Sequence, residues 1–202
     1  MDRHPPIPTP AGNPLRLTEA TAYDLDRIME LERQGFAAGH QESRSAYARR
    51  IATFPQGSLM AWQGPECVGC VFTEIWEFTP QPDAAHFALG HDIGERHDPV
   101  DGSELYISSM TLSPQVRGQG LGAPLLRGCI SQIAQGYPGL TSVLLLVNSH
   151  WGAARRIYTD AGFAEIARLN GFFHPQGLDA EDGIVMRSEL RFQLAREHEA
   201  SD

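Results

Sequence analysis

No apolar run in this 202-residue chain approaches the roughly 20 residues that cross a bilayer, so the sequence offers no membrane-spanning helix. Cysteine is scarce. Cys67, Cys70 and Cys129 make an odd count, as expected of reduced thiols in a cytosolic compartment and not of a disulfide framework. Cys67 and Cys70 have redox-motif spacing, but their surroundings alternate like a strand. No helix start is there to acidify a thiol, and no second pair completes a zinc site. Basic side chains are outnumbered by acidic ones, giving a net charge of −9. Such a chain repels nucleic-acid backbones and suits cationic partners, or simply gains solubility. The first 14 residues lack an apolar stretch and hold five prolines, which excludes a signal peptide and a helix there. They read as a flexible Pro-rich tail on a cytoplasmic chain.

What remains is an ordinary globular composition, 42% hydrophobic and 20% charged, long enough to bury a core without metal or disulfide support. The expected organisation is one domain over 15–192 with a frayed, acidic end at 193–202. A short strand at 15–19 precedes a helix whose spacing runs through Leu25, Ile28, Leu31, Glu32 and Phe36. Tyr47, Ile51 and Phe54 mark a second short helix, ended at Pro55. Residues 58–62 and 67–78 read as a hairpin. The segment 79–103 carries three histidines and little periodicity. Loops this long inside a compact domain are uncommon and often functional, so a substrate lid is expected, with a disordered insertion as the alternative. A strand at 105–112, a helix at 121–133, an apolar strand at 142–147, a short helix at 151–160 and closing strands near 164–169 and 184–190 complete the chain.

The densest chemistry lies between the strand at 105–112 and the helix after it, in Arg117-Gly118-Gln119-Gly120-Leu121-Gly122. Glycines let the backbone turn sharply and approach a ligand closely. Amides of the first helical turn then point at an anion that the helix dipole also favours. Such a turn can hold a pyrophosphate, and a plain tight turn is the alternative reading. Pro124 fits the first helical turn, where its missing N–H breaks no bond.

Three pieces in order, Tyr106-Ile107-Ser108-Ser109-Met110-Thr111-Leu112, the turn 117–122, and Ile157-Tyr158-Thr159-Asp160-Ala161-Gly162-Phe163, resemble the GCN5-related N-acetyltransferase (GNAT) superfamily. Arg117, Gly120 and Gly122 occupy the marked places of its Arg/Gln-x-x-Gly-x-Gly/Ala signature, and Tyr158 to Phe163 matches its Tyr-x-x-x-Gly-Phe element. The resemblance covers about 15–190. It implies a mixed α/β fold: a twisted, mostly antiparallel sheet of six or seven strands with about four flanking helices, splayed between strands 4 and 5. It also implies acetyl-coenzyme A as co-substrate and no metal. The pyrophosphate would lie on main-chain amides near Arg117, Gly118, Gln119, Gly120, Leu121 and Gly122. Pantetheine would lie along backbone groups of Met110 and Leu112, with an amide near Met110 polarising the acetyl carbonyl.

By the same resemblance Tyr158 donates a proton to the departing thiolate, with a packing role as the alternative; an ordinary tyrosine pKa of about 10 keeps it protonated at neutral pH. Candidates for taking the amine's proton are Glu104, Tyr106 and Ser108, with Glu74, Glu77, His91 and His97 as further options. A more distant likeness is to the arylalkylamine branch, whose two proton-relaying histidines align with Tyr106 and Ser108 here. That substitution puts the branch's proton route and specificity in doubt. Trp151 stands where many members have an asparagine facing the cofactor, and Asn148 is a partial substitute. The loop groups His86, His91 and His97 with Asp92, Glu95 and Asp98 fit no common metal-ligand spacing. Acetyl transfer by direct attack of a primary amine is therefore expected, the acceptor being a small cationic amine. A peptide or protein α-amine, or a non-catalytic acyl-coenzyme A-binding domain, are the competing expectations. Neither nucleic acid nor membrane is an expected partner, and a homodimer is compatible with the chain.

Overall fold

Alternation along the strands sorts their side chains onto two faces, and the helices cover both. The structure, a computed structural model, describes residues 5–191. The end expected to fray, at 193–202, and the first four residues of the expected tail lie outside these. Seven strands form one sheet in the order β1-β2-β3-β4-β5-β7-β6. They are β1 (Arg16–Glu19), β2 (Ser58–Gln63), β3 (Glu66–Trp76), β4 (Glu104–Leu112), β5 (Ser142–Asn148), β6 (Ala164–Phe173) and β7 (Glu181–Glu189). Among the described residues four α-helices accompany them: α1 (Leu25–Gly35), α2 (Arg44–Thr53), α3 (Gly122–Gly136) and α4 (Gly152–Asp160). The mixed α/β architecture and the strand count agree with the sequence expectation.

Along β2, Leu59 and Ala61 belong to the core shared with α3 and α4, whereas Met60 belongs to the core shared with α1 and α2. This period of two is what a sheet covered on both faces requires. On α1, Leu25, Ile28 and Leu31 make the buried stripe; Glu32 extends it and is buried too. Ser43 caps α2 by accepting from the Ala46 N–H at 3.1 Å. Leu125, Leu126, Cys129, Ile130 and Ile133 form the buried face of α3.

Pairing in the sheet is antiparallel except between β4 and β5. That parallel pair has only four rungs, Glu104↔Ser142 to Ile107↔Leu145. Beyond Ile107 and Leu145 the two strands continue without pairing, which opens the expected splay. Between β3 and β4 the register slips by one residue, since Phe72 faces Ser109 and Thr73 faces Ile107. Ser108 is therefore an extra residue on β4, a bulge that re-aims the side chains after it.

Two segments outside the sheet shape the site. Ile7 pairs with Leu15 as an isolated bridge and packs against the core, and Pro10 sits beside Gly120. The turn between α1 and α2 docks on the turn between β6 and β7, where the Gln176 N–H donates to the Ala38 carbonyl at 3.0 Å. Gly39 permits this docking, because its φ is +94° and a Cβ there would lie 2.6 Å from the His174 carbonyl oxygen. Gly39→Ala should cost about 1–2 kcal/mol in backbone strain and more from the clash. Gly12→Ala, at φ +83° with open space around it, should show the strain alone. Denaturation midpoints of the two variants separate the contributions.

Candidate functional site

The splay between β4 and β5 opens into a cavity of about 1170 Å³. Its walls come from β4, β5, the turn before α3, α4, the α1–α2 turn and the end of β6. At one end stands the glycine turn. Gly118 and Gly120 have φ of +75° and +76°, a conformation that strains residues with a Cβ. Leu121 precedes α3 without any side-chain hydrogen bond to the helix start, so side chains do not cap the amides there. With Gly118, Gly120, Leu121 and Gly122 lining the cavity, these donors form a concavity of the kind that suits an anion. Arg117 also lines it, and its side chain ties the turn down. Nε donates to the Leu112 carbonyl at 3.1 Å and Nη2 to the Gln34 carbonyl at 3.2 Å.

Tyr106, Ser108, Met110 and Leu112 of β4 line the same cavity, as does Tyr158 of α4. Tyr158 is 8% exposed, and burial pushes its phenol up to about 12. Tyr106 is stacked on Trp76 with ring centres 3.9 Å apart; burial, with Glu74 nearby, raises its pKa further. Ser108 Oγ donates to the Phe72 carbonyl at 3.2 Å. Trp151, just before α4, turns its ring toward Phe36 and Phe173, at 5.4 and 5.8 Å between centres. Together they give the cavity an aromatic wall.

The cavity wall does not include Glu104, Gln119 or Asn148. Glu104, 1% exposed, accepts from Arg187 Nε at 2.6 Å and from Ser142 Oγ at 2.8 Å, tying β4 to β5 and β7. Asn148 is fully buried, donating to Glu181 at 2.5 Å and accepting from the His150 N–H at 2.8 Å, which shapes the β5–α4 turn. Gln119 donates back to the Gln115 carbonyl at 3.0 Å. Glu77 lies with Glu104 in a second, smaller cleft.

The opposite end of the cavity carries groups that the motif search did not single out. Glu32, Glu42, Tyr47, Arg50 and Ser109 line it. Arg50 Nη2 donates to Glu42 Oε2 at 2.8 Å, and its Nε is 3.6 Å from Glu74 Oε1. Glu74 accepts from Trp76 Nε1 at 2.9 Å and faces His91 Nε2 at 2.7 Å. Burial is the largest influence on His91 and disfavours its charge, but the hydrogen bond to Glu74, that carboxylate's charge and the Ala88 carbonyl together outweigh it and the net shift is upward. Three buried carboxylates thus gather around one guanidinium and one imidazole. The sequence offered one signal for this, a glutamate continuing the apolar stripe of α1.

The segment 79–103 folds over this end. Phe87 and Leu89 line the cavity, Ile93 is buried, and the Gly90 N–H donates to Glu42 Oε2 at 3.1 Å. Its histidines have separate tasks: His97 Nδ1 accepts from the Ile75 N–H at 3.0 Å, while His86 packs near Trp76. Among the described residues no group of three or more His, Cys, Asp or Glu could hold a metal ion.

The family model described as Acetyltransferase (GNAT) family matches residues 25–163. Over 118 residues the chain is 28% identical to an uncharacterized N-acetyltransferase, YkwB, of Bacillus subtilis strain 168, a stretch that is 55% of this chain and 52% of that protein. The chain therefore spans about half the length of the curated relative it matches. Among solved structures it is similar to the GphF GNAT-like decarboxylase in complex with isobutyryl-CoA, with TM-score 0.69 and 21% identity over 87% of this chain and 100% of that one. It is also similar to the loading GNATL domain of CurA from Lyngbya majuscula, with TM-score 0.73 and 16% identity over 88% of this chain and 98% of that one.

The placement of Glu104 yields a test of its structural work. Glu104→Gln leaves a largely buried Arg187 uncompensated and should cost about 3–5 kcal/mol of stability, read by urea denaturation. Adding Arg187→Met should recover much of that loss.

Proposed function

The chain belongs to the Acetyltransferase (GNAT) family, and from that premise we propose that it moves an acetyl group from acetyl-coenzyme A directly to a primary amine, a small cationic one. The observation that carries this reading is the shared cavity. The anion-binding turn, the unpaired edges of β4 and β5, Tyr158 and the acidic end all open into it.

The main-chain donors before α3 suit a diphosphate, and the splayed strands leave backbone groups for amides of an extended arm. The Leu112 carbonyl already accepts from Arg117, so Met110 is the better placed of the two to contribute its backbone. Tyr158 has a phenol that stays protonated because of burial, as required of a group that gives its proton to a thiolate leaving group. Cys129, the nearest thiol in sequence to the turn, is fully buried in the face of α3, and burial raises it to about 12. It is unsuited to carry an acyl intermediate, which supports direct attack.

Charge selects the acceptor. Glu32, Glu42 and Glu74 outnumber Arg50 and His91 at the far end, and all three carboxylates are at least nine-tenths buried. In such surroundings an incoming ammonium is favoured and an anion repelled. Phe87 and Leu89 of the long loop close over that end, which favours a small molecule over a peptide. Every one of the sixteen basic side chains is arginine. The protein therefore offers no side-chain amine of its own as an acceptor, and thiol release in an assay reports added amine.

The test is coenzyme A release from acetyl-coenzyme A over a panel of diamines, polyamines and arylalkylamines. Turnover with a cationic amine is expected; tight coenzyme A binding with no turnover on any amine would replace this reading with that of a binding domain. Tyr158→Phe should lower kcat by about a hundredfold or more. In the wild type, activity should show no alkaline loss attributable to Tyr158 below about pH 11, because its proton is held up to about 12. Gly120→Ala, strained at φ +76° and facing Pro10, should weaken coenzyme A binding by about tenfold, the equivalent of about 1.4 kcal/mol. Calorimetry measures it.

A further inference from the structure

The acetyl-transfer reading leaves one task without a group. A primary amine arrives as ammonium and must lose a proton before its nitrogen can attack. At the cavity wall, a file of hydroxyls leads away from Met110 to a buried carboxylate. Tyr47 OH lies 2.7 Å from Glu32 Oε2 and 3.2 Å from Ser109 Oγ. The phenol has a single hydrogen, so the shorter contact takes it, and the longer one then runs from the Ser109 hydroxyl to the Tyr47 oxygen. Both hydrogens point toward Glu32. The lone pairs of Ser109, a half-buried residue on the cavity wall, are left to accept from whatever lies in the cavity.

The carboxylate at the end of this file differs from its neighbours. Glu42 is paired with Arg50 at 2.8 Å, and Glu74 is flanked by Arg50 at 3.6 Å and His91 at 2.7 Å. Among the described residues Glu32 has no cationic group within 4 Å; its oxygens accept from the Glu42 N–H and the Tyr47 phenol, both neutral donors. It is 3% exposed. A buried, unpaired carboxylate gains by taking up a proton, whereas its paired neighbours would lose an ion pair by doing so.

We infer that Ser109, Tyr47 and Glu32 form the path by which the acceptor amine loses its proton, with Glu32 as the terminus. This rests on the acetyl-transfer reading and adds the group that reading lacks. The ammonium gives a proton to Ser109 Oγ, the serine hydrogen passes to Tyr47, and the tyrosine hydrogen passes to Glu32 Oε2, which becomes a neutral carboxylic acid. The freed nitrogen attacks the acetyl carbonyl carbon; a C–N bond forms and the C–S bond breaks. Tyr158 protonates the sulfur and is replenished by the second proton shed from the new amide nitrogen. The net products are the amide, the free thiol and one proton held on Glu32, later lost to solvent. Only Ser109 touches the substrate; Tyr47 and Glu32 act through it.

The groups that face Glu32 set when this works. Burial raises its pKa first, Glu42 raises it again, and Arg50 together with the two donated hydrogen bonds pulls it back partway. From β3 it faces Cys70, a thiol that burial keeps protonated. The accepting form is the carboxylate. Activity toward ammonium acceptors therefore falls as pH drops through the raised Glu32 value, above the ordinary glutamate value of about 4.3.

Ser109→Ala, Tyr47→Phe and Glu32→Gln test the path in the full-length protein, with calorimetry for coenzyme A and thermal melting to confirm fold and binding. With a diamine or arylalkylamine that is protonated at the assay pH, each variant should lose about ten- to a hundredfold in kcat/KM. With aniline, already neutral at that pH, the loss should shrink to within about threefold, a distinction that a packing defect would not make. Glu32→Gln should also replace the acid limb of the wild-type pH profile by one that follows the acceptor amine's own pKa. Should it fail to fold, the serine and tyrosine variants decide. Equal losses with protonated and neutral acceptors, or no loss with either, overturn the relay while leaving acetyl transfer intact. A wild type that acetylates no amine overturns both.

Discussion

Four rungs of parallel pairing hold this sheet together at its centre, and everything functional depends on where that pairing stops. A parallel strand pair is normally covered and continuous. Here β4 and β5 part after Ile107 and Leu145, so two strand edges with unsatisfied backbone groups face each other across a gap. Leaving such groups unpaired is costly unless something else bonds to them. An extended, amide-bearing ligand of the kind proposed above would do that, with one end at the glycine turn before α3. The Glu104–Arg187 pair, below the gap, ties β4 to β7 across β5. It keeps the closed half of the sheet closed while the other half stays apart.

Polarity is divided along the cavity in the same spirit. The turn beside α3 attracts negative charge through main-chain dipoles, without lysine anywhere in the chain. The far end gathers carboxylates and suits positive charge. Met110, Tyr158 and the aromatic group of Phe36, Trp151 and Phe173 line the same cavity. A ligand with a diphosphate at one end and an amine-bearing partner at the other, as proposed above, would meet complementary fields at both.

Much of this was legible in the chain because the constraints were local. The glycine turn announced itself through residue types that only a left-handed backbone needs, and Gly118 and Gly120 do adopt positive φ. The strand before it and the helix after it followed from periods of two and 3.6. Glu104 was a different matter: it sat on the right strand, but its partners Ser142 and Arg187 are 38 and 83 residues away, so its task could not be read from its neighbourhood. Asn148 likewise serves the β5–α4 turn. Tyr47 and Ser109, 62 residues apart, meet only because α2 packs on β4. The sequence did place Glu32 on the apolar face of α1 and Tyr47 on that of α2. A charged residue among leucines was the visible hint, and its contact with Tyr47 on the neighbouring helix was not.

Ser108 shows how little separates one arrangement from another. As the unpaired extra residue of β4, it shifts the alternation of the strand by one place, so that Ile107 belongs to the core beneath α3 while Ser109 reaches Tyr47 on α2. Closing the bulge at constant length would pair Ser108 with Phe72 and send Ser109 and the residues after it to the opposite face of the sheet, whereas deleting that single serine would leave them on the faces they have now. Descendants of this chain that kept every motif and the same length but ran β4 straight here would fold alike and present a different surface to their ligands. Locating the bulge along this strand, as well as matching residues, is therefore the way to decide which other sequences share its chemistry.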